Sequence, residues 1–163
     1  MSNEDIMLGV PVGDTCDENI EFNLYEDAKK GAYGYLGLYK NKRICAVGKV
    51  IKVVKVMKIN GELEFTPSVT EDERERFLVY KKRCGNGDCP VAEPFTRVFF
   101  VDKFYRTNYV NVGTMGIVGG KKFLLHKLLP ATTEEIAAYL DGQTWRLVKG
   151  EEIIPPRPPE FLF

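Results

Sequence analysis

The hydrophobic and polar positions of residues 33–59 (YGYLGLYKNKRICAVGKVIKVVKVMKI) set the expectations for the whole chain. Residues 35–39 are an apolar run, Lys40-Asn41-Lys42-Arg43 is a basic turn, and residues 44–59 form one long β-branched segment interrupted by Gly48. Lysines fall at 49, 52, 55 and 58. A spacing of three suits a helix, but Val and Ile at 50, 51, 53, 54, 56 and 59 favour a strand. On a regular strand those lysines alternate faces, so neither face stays apolar. The pattern predicts a bent strand that changes its buried face, with Gly48 as the kink, as a small curved sheet or barrel requires.

The remaining pattern divides into short elements. Residues 1–5 read as a loose end and 6–12 as a first strand, irregular at Gly9 and Pro11. Residues 23–30 (NLYEDAKK) read as a short helix capped by Asn23, with Glu26 at its third position and Gly31 ending it. Asn60-Gly61 predicts a hairpin into residues 62–65. Residues 70–83 give the clearest helix: Thr70 and Glu73 make a capping box, the first turn is acidic and the last is basic. Residues 97–105 predict a strand, and 111–120, with four glycines, an irregular segment. Residues 122–129 fit a strand or a short helix, and the local pattern leaves both open. Thr132 and Glu135 cap a helix to Leu140, and Asp141-Gly142 turns into a last strand over 144–148. There is no internal repeat. Residues 1–149 read as a single domain, and residues 150–163, with two proline pairs around Arg157, as an extended proline-rich tail.

Composition narrows the class. Hydrophobic content of 44%, with ten Phe and eight Tyr, supplies a core for one domain of 163 residues. The 23 basic and 23 acidic side chains cancel, so whole-chain charge favours neither nucleic acid nor an anionic membrane, and only local patches can act. No apolar run reaches the ~20 residues of a membrane-spanning helix. The expected setting is cytoplasmic, where four cysteines stay reduced.

Catalytic and metal-binding patterns are thin. Cys84 and Cys89 flank Gly-Asn-Gly-Asp and supply half of a zinc site, with Cys16, Cys45 or the sole histidine, His126, left as partners at no regular spacing. The favoured reading is a tight turn with two thiols, with a disulfide across it as the alternative. Gly120-Lys121 lacks the earlier glycine and the following Ser or Thr of a phosphate loop, so these glycines read as turn or close-approach positions, with a backbone-lined ligand surface as the minority reading. His126 lies among leucines, and Asp102-Lys103 lacks the partner of a metal-dependent nuclease. The chain therefore reads as non-catalytic, with neither metal nor cofactor called for.

Basic and aromatic residues interleave twice. Lys40, Lys42, Arg43 and Lys49 accompany Tyr33, Tyr35 and Tyr39, while Lys103, Tyr105, Arg106, Asn108 and Tyr109 form a second group. Cations meet phosphates and aromatic faces stack bases, as in binders of single strands or extruded bases. Each group alone also fits a hairpin with solvated lysines and core tyrosines.

Lys29-Lys30-Gly31, the strand YLGLY, and ICAVGKV at 44–50 together resemble the PUA-like superfamily, especially its EVE and ASCH branches. The resemblance spans residues 23–58. It differs at Ala32, where the family often has aspartate, and in its sole tryptophan, Trp145, which comes late in the chain. It implies an α+β fold: a curved, mostly antiparallel sheet forming a pseudobarrel with three short helices. It also implies recognition of RNA or of modified DNA bases without catalysis. On this reading Lys40, Lys42, Arg43 and Lys49 contact the backbone, Tyr35, Tyr105 or Trp145 stack or line a pocket, and Arg106 and Asn108 read base edges. The alternatives are a phage or defence-system protein-interaction module acting through the apolar tail and hairpins, and a small enzyme using Cys84, Cys89 or His126.

Overall fold

The computed structural model describes residues 2–84 and 94–157. Its spine is an antiparallel pair of long strands, β4 (Arg43–Ile59) and β6 (Thr96–Asn111). The free edge of β4 carries β3 (Tyr35–Lys40) at one end and β5 (Glu62–Thr66) at the other. The free edge of β6 likewise carries β2 (Leu24–Glu26) and β8 (Thr144–Trp145). Beyond β3 lie β1 (Ile6–Pro11), parallel to it, and β7 (Lys121–Leu124), antiparallel to β1. The result is an α+β fold with a mixed, mostly antiparallel eight-stranded sheet that does not close. Its helices among the described residues are α1 (Cys16–Phe22), α2 (Glu71–Arg83) and α3 (Thr133–Leu140).

Bulges reconcile the lysine spacing with a strand. Ile51 is an extra residue on β4 between Val50 and Lys52, which pair with the adjacent residues Val101 and Phe100. Ile51 accordingly stands 58% exposed, and the inward set continues as Val54 and Val56. On β6, Asp102 and Lys103 together oppose the single residue Lys49, and Thr107 and Asn108 together oppose Cys45. Each bulge shifts the two-residue period, so a long strand keeps apolar residues inside on both sides of it. Gly48 serves close packing: a Cβ there would lie 2.8 Å from the ring of Phe104.

The two faces of the spine bury separate clusters. Tyr35, Ile44, Val47, Tyr109, Phe123 and Trp145 pack with Ile136 and Leu140 of α3 on one face, while Leu36, Ala46, Phe99, Val101 and Phe104 pack on the other with Cys16. At the far end, Phe77 and Tyr80 of α2 pack on Leu24, Val54 and Phe100. Both predicted capping boxes form, at Thr70/Glu73 and Thr132/Glu135.

Three expectations change, and one left open is resolved. Residues 23–30 are not a helix; the first helix ends before them, and Asn23 adopts the left-handed conformation (φ 53°) that closes α1. Leu24 and Tyr25 then continue as a buried strand on Phe100 and Phe99, so tertiary pairing outweighs the local helix signal. Residues 3–5 form a 3-10 turn whose Asn3 carbonyl accepts from the Gly34 N–H and whose Asp5 carbonyl accepts from Leu125, so this end is fastened. The ladder of the last strand stops at Trp145, and the chain then arcs until Ile153 bridges Phe123 of β7. The ambiguous segment 122–129 is strand over Lys121–Leu124 and turns thereafter. Residues 158–163 of the predicted tail and Cys89 lie outside the described residues.

Gly48→Ala is expected to lower stability by about 1–3 kcal/mol, the usual cost of overpacking beside a ring held on all sides. The guanidinium unfolding midpoint checks it; an unchanged midpoint would mean that Phe104 has room to swing away.

Candidate functional site

Alternation along β6 separates the second basic–aromatic group. Tyr105 and Tyr109 face the α3 side, where Thr107 also donates to the Ala137 carbonyl (2.6 Å). Arg106 and Asn108 point to the opposite face and are exposed. The nine predicted contact residues thus resolve into two surfaces and two side chains that serve the fold.

The first surface is a cavity of about 380 Å³ lined by Tyr35, Lys49, Asp102, Lys103, Tyr105, Ala131, Thr132, Thr133 and Glu134. Lys49 projects from β4, and the bulge on β6 brings both Asp102 and Lys103 opposite it. The facing wall is the start of α3, with its capping Thr132. Lys103 Nζ lies 5.4 Å from the centroid of the half-buried Tyr105 ring, which keeps ammonium and aromatic face together. Tyr35 is 6% exposed, and burial, reinforced by Asp5, holds its phenol above the usual range and therefore protonated. A second cavity, of about 310 Å³, shares Tyr35 and Lys49 and adds Glu4, Asp5, Gly34 and Val50, extending the groove along β3. The cavity combines two cations, two carboxylates, hydroxyls and an aromatic wall.

The second surface lies at the β3–β4 hairpin end on the other face. Lys40 pairs with Arg43, Arg43 stands opposite Val110, and Arg106 and Asn108 precede Val110 on the same side of β6. Arg106 is 3.6 Å from Asp17 in an exposed ion pair that contributes little on its own.

Two predicted ligand-facing residues belong to the scaffold. Trp145 is 5% exposed; its indole N–H donates to the Tyr109 carbonyl (3.1 Å) and its ring packs edge-on against Phe123 at 5.0 Å. A late tryptophan in a two-residue strand closes the core here. Lys42, in the left-handed region at the turn, directs its ammonium to the Gly113 carbonyl and anchors the glycine-rich segment to the hairpin.

The other sequence candidates fall elsewhere. The glycine-rich segment borders an apolar cavity of about 590 Å³ lined by Met115, Ile117, Val118 and Leu147, with Lys121 and Lys149 beside it. Cys84 follows α2, and burial pushes its thiol up, away from the activated range; His126 is exposed on the turn after β7. Sequence reading missed the α3 contribution to the cavity, because the approach of Thr132 and Glu134 to β6 is tertiary. It also missed the approach of Cys16 to Cys45, 2.9 Å between sulfurs. The split of Tyr105 from Arg106 was available from strand period alone. Comparisons with family models, with curated proteins and with solved structures find no match.

Trp145→Phe is expected to cost about 1–3 kcal/mol through loss of the buried indole hydrogen bond to the Tyr109 carbonyl and the space left by a smaller ring. The native indole should resist acrylamide quenching until the chain unfolds; strong quenching in the folded state would place the ring at a ligand surface instead.

Proposed function

We propose that this chain is a non-catalytic nucleic-acid recognition module that accepts a single-stranded or extruded base, modified bases included, on a PUA-like pseudobarrel. The observation that carries the reading is the convergence of Lys49, Lys103 and Tyr105 on one cavity through the bulge at Asp102–Lys103. Its volume, about 380 Å³, falls in the range of small-ligand sites and suits one nucleobase. Lys49 and Lys103 meet the flanking phosphates, Tyr105 offers a stacking face, and Asp102, Glu134 and the threonines can pair with donors and acceptors on a base edge. The pseudobarrel reading is supported by the arc from Trp145 to Ile153, which runs from the β6 edge of the sheet to the β7 edge. Lys40, Arg43, Arg106 and Asn108 supply a separate cationic surface for a neighbouring stretch of backbone.

A protein partner is the second reading. It is favoured by apolar exposure around the glycine-rich segment, where Val118 is 93% and Met115 47% exposed.

Fluorescence anisotropy against labelled single- and double-stranded DNA and RNA, with and without modified bases, tests the proposal at two salt concentrations. Binding should weaken with salt, and Lys49→Ala and Lys103→Ala should each reduce the log–log salt slope by about 1. Tyr105→Ala should cost about 1–3 kcal/mol of affinity. Absence of binding to every probe would overturn the reading and leave the protein partner. Binding abolished by Lys40→Ala/Arg43→Ala/Arg106→Ala but indifferent to the cavity variants would move the site to the opposite face.

A further inference from the structure

Cys16 is the first residue of α1, and Cys45 is the bulged residue of β4 where its pairing with β3 slips between Leu38 and Tyr39. The bulge brings their sulfurs to 2.9 Å although the residues are 29 positions apart. Both are free thiols, Cys16 4% exposed and Cys45 half-buried. We propose that Cys16 and Cys45 are a reversible redox modification site: a peroxide converts them to a disulfide that fastens α1 to β4.

The distance is the primary argument. A disulfide requires about 2.05 Å, so the sulfurs need to close by less than ~1 Å. The surroundings assign the two roles. The hydrogen bond from Cys45 is the largest influence lowering the Cys16 thiol; Lys40 of β3 and Arg106 of β6 act in the same direction, while burial and Asp17 of α1 oppose. Cys45 is pushed up by its bond to Cys16 and by burial, with Arg43 opposing. Cys16 is therefore the attacking thiolate and Cys45 the resolving thiol.

The chemistry balances with hydrogen peroxide as oxidant. The Cys16 thiolate attacks one peroxide oxygen, the O–O bond breaks, and hydroxide leaves and is protonated to water. The Cys16 sulfenic acid is then attacked by the Cys45 sulfur: the S–O bond breaks, the S–S bond forms, and hydroxide departs as water with the proton of Cys45. Two thiols and one peroxide give one disulfide and two waters.

The test treats the full chain with hydrogen peroxide, blocks remaining thiols with iodoacetamide, and maps peptides by mass spectrometry. A Cys16–Cys45 crosslink should appear with loss of two hydrogen atoms, raise Tm, and vanish with dithiothreitol. It should persist in Cys84→Ser/Cys89→Ser. In Cys45→Ser, Cys16 should stop at a sulfenic acid that dimedone traps. Crosslinking should quicken with pH, with a midpoint below the ~8.5 of an ordinary cysteine, because the thiolate form of Cys16 is favoured; Lys40→Gln should slow it at neutral pH. Alkylation of both Cys16 and Cys45 after peroxide, or a crosslink that maps to Cys84 instead, would overturn the proposal.

Discussion

The register of β4 against β6 is the constraint on which the rest of the structure depends. These two strands, of 17 and 16 residues, are the only ones long enough to carry neighbours at both ends among the described residues, and four shorter strands are hung on their outer edges. A slip of one residue would exchange faces. Tyr105, Thr107 and Tyr109 would leave the core beneath α3, and Arg106 and Asn108 would enter it. The bulges make a single register compatible with both clusters, and the same irregularities place Lys49, Lys103 and Cys45. Core packing and surface chemistry are thus set by one set of strand defects.

A sheet with interrupted edges must satisfy the backbone groups left between its short strands. Between β2 and β8, the edge of β6 is filled by Asn23: its carbonyl accepts from Val101 and its side chain accepts from the Phe104 N–H. Farther along, the Asn108 carbonyl accepts from Gly142. On the other edge, the Val50 N–H reaches the Gly34 carbonyl, which a nearby turn holds in place. At the α2 end, Asn19 donates to the Leu24 carbonyl and to Tyr80, and Lys81 meets Glu26 at 2.8 Å with both side chains nearly buried. A buried ion pair of this kind adds little net stability but makes loss of either partner costly. It therefore fixes where α2 sits on β2 more than how strongly it holds.

Much of this was legible in the sequence where the signal is local. The capping boxes at Thr70 and Thr132 stand where expected, Asn60-Gly61 turns the β4–β5 hairpin, and the β-branched density of 50–59 outweighs its helical lysine spacing. What failed was decided by distant partners. Asn23 can begin a helix or end one, and the choice follows from Leu24 and Tyr25 finding Phe100 and Phe99 across about 75 residues, a pairing no local window contains. The same holds at the site: Tyr105 was legible as an aromatic beside lysines, but its cavity exists only once α3 folds back on β6. Lys42 and Trp145 looked like ligand contacts because a cation on a turn and a lone tryptophan carry no label for what they satisfy internally.

The equal numbers of acids and bases bear on specificity. A groove lined by cations alone holds any polyanion, and its affinity disappears with salt. Around the cavity, Lys49 and Lys103 are set against Asp102 and Glu134, with hydroxyls between them. Such a site cannot gain much from nonspecific charge, since its own carboxylates repel a phosphate that sits too deep. On the proposed reading, it would favour a ligand that is anionic at the rim and carries hydrogen-bond donors at its tip. Charge balance across the chain therefore does not weigh against the proposed recognition of nucleic acid; it weighs against recognition by charge alone, and on that proposal discrimination would lie in the geometry that the β6 bulge creates.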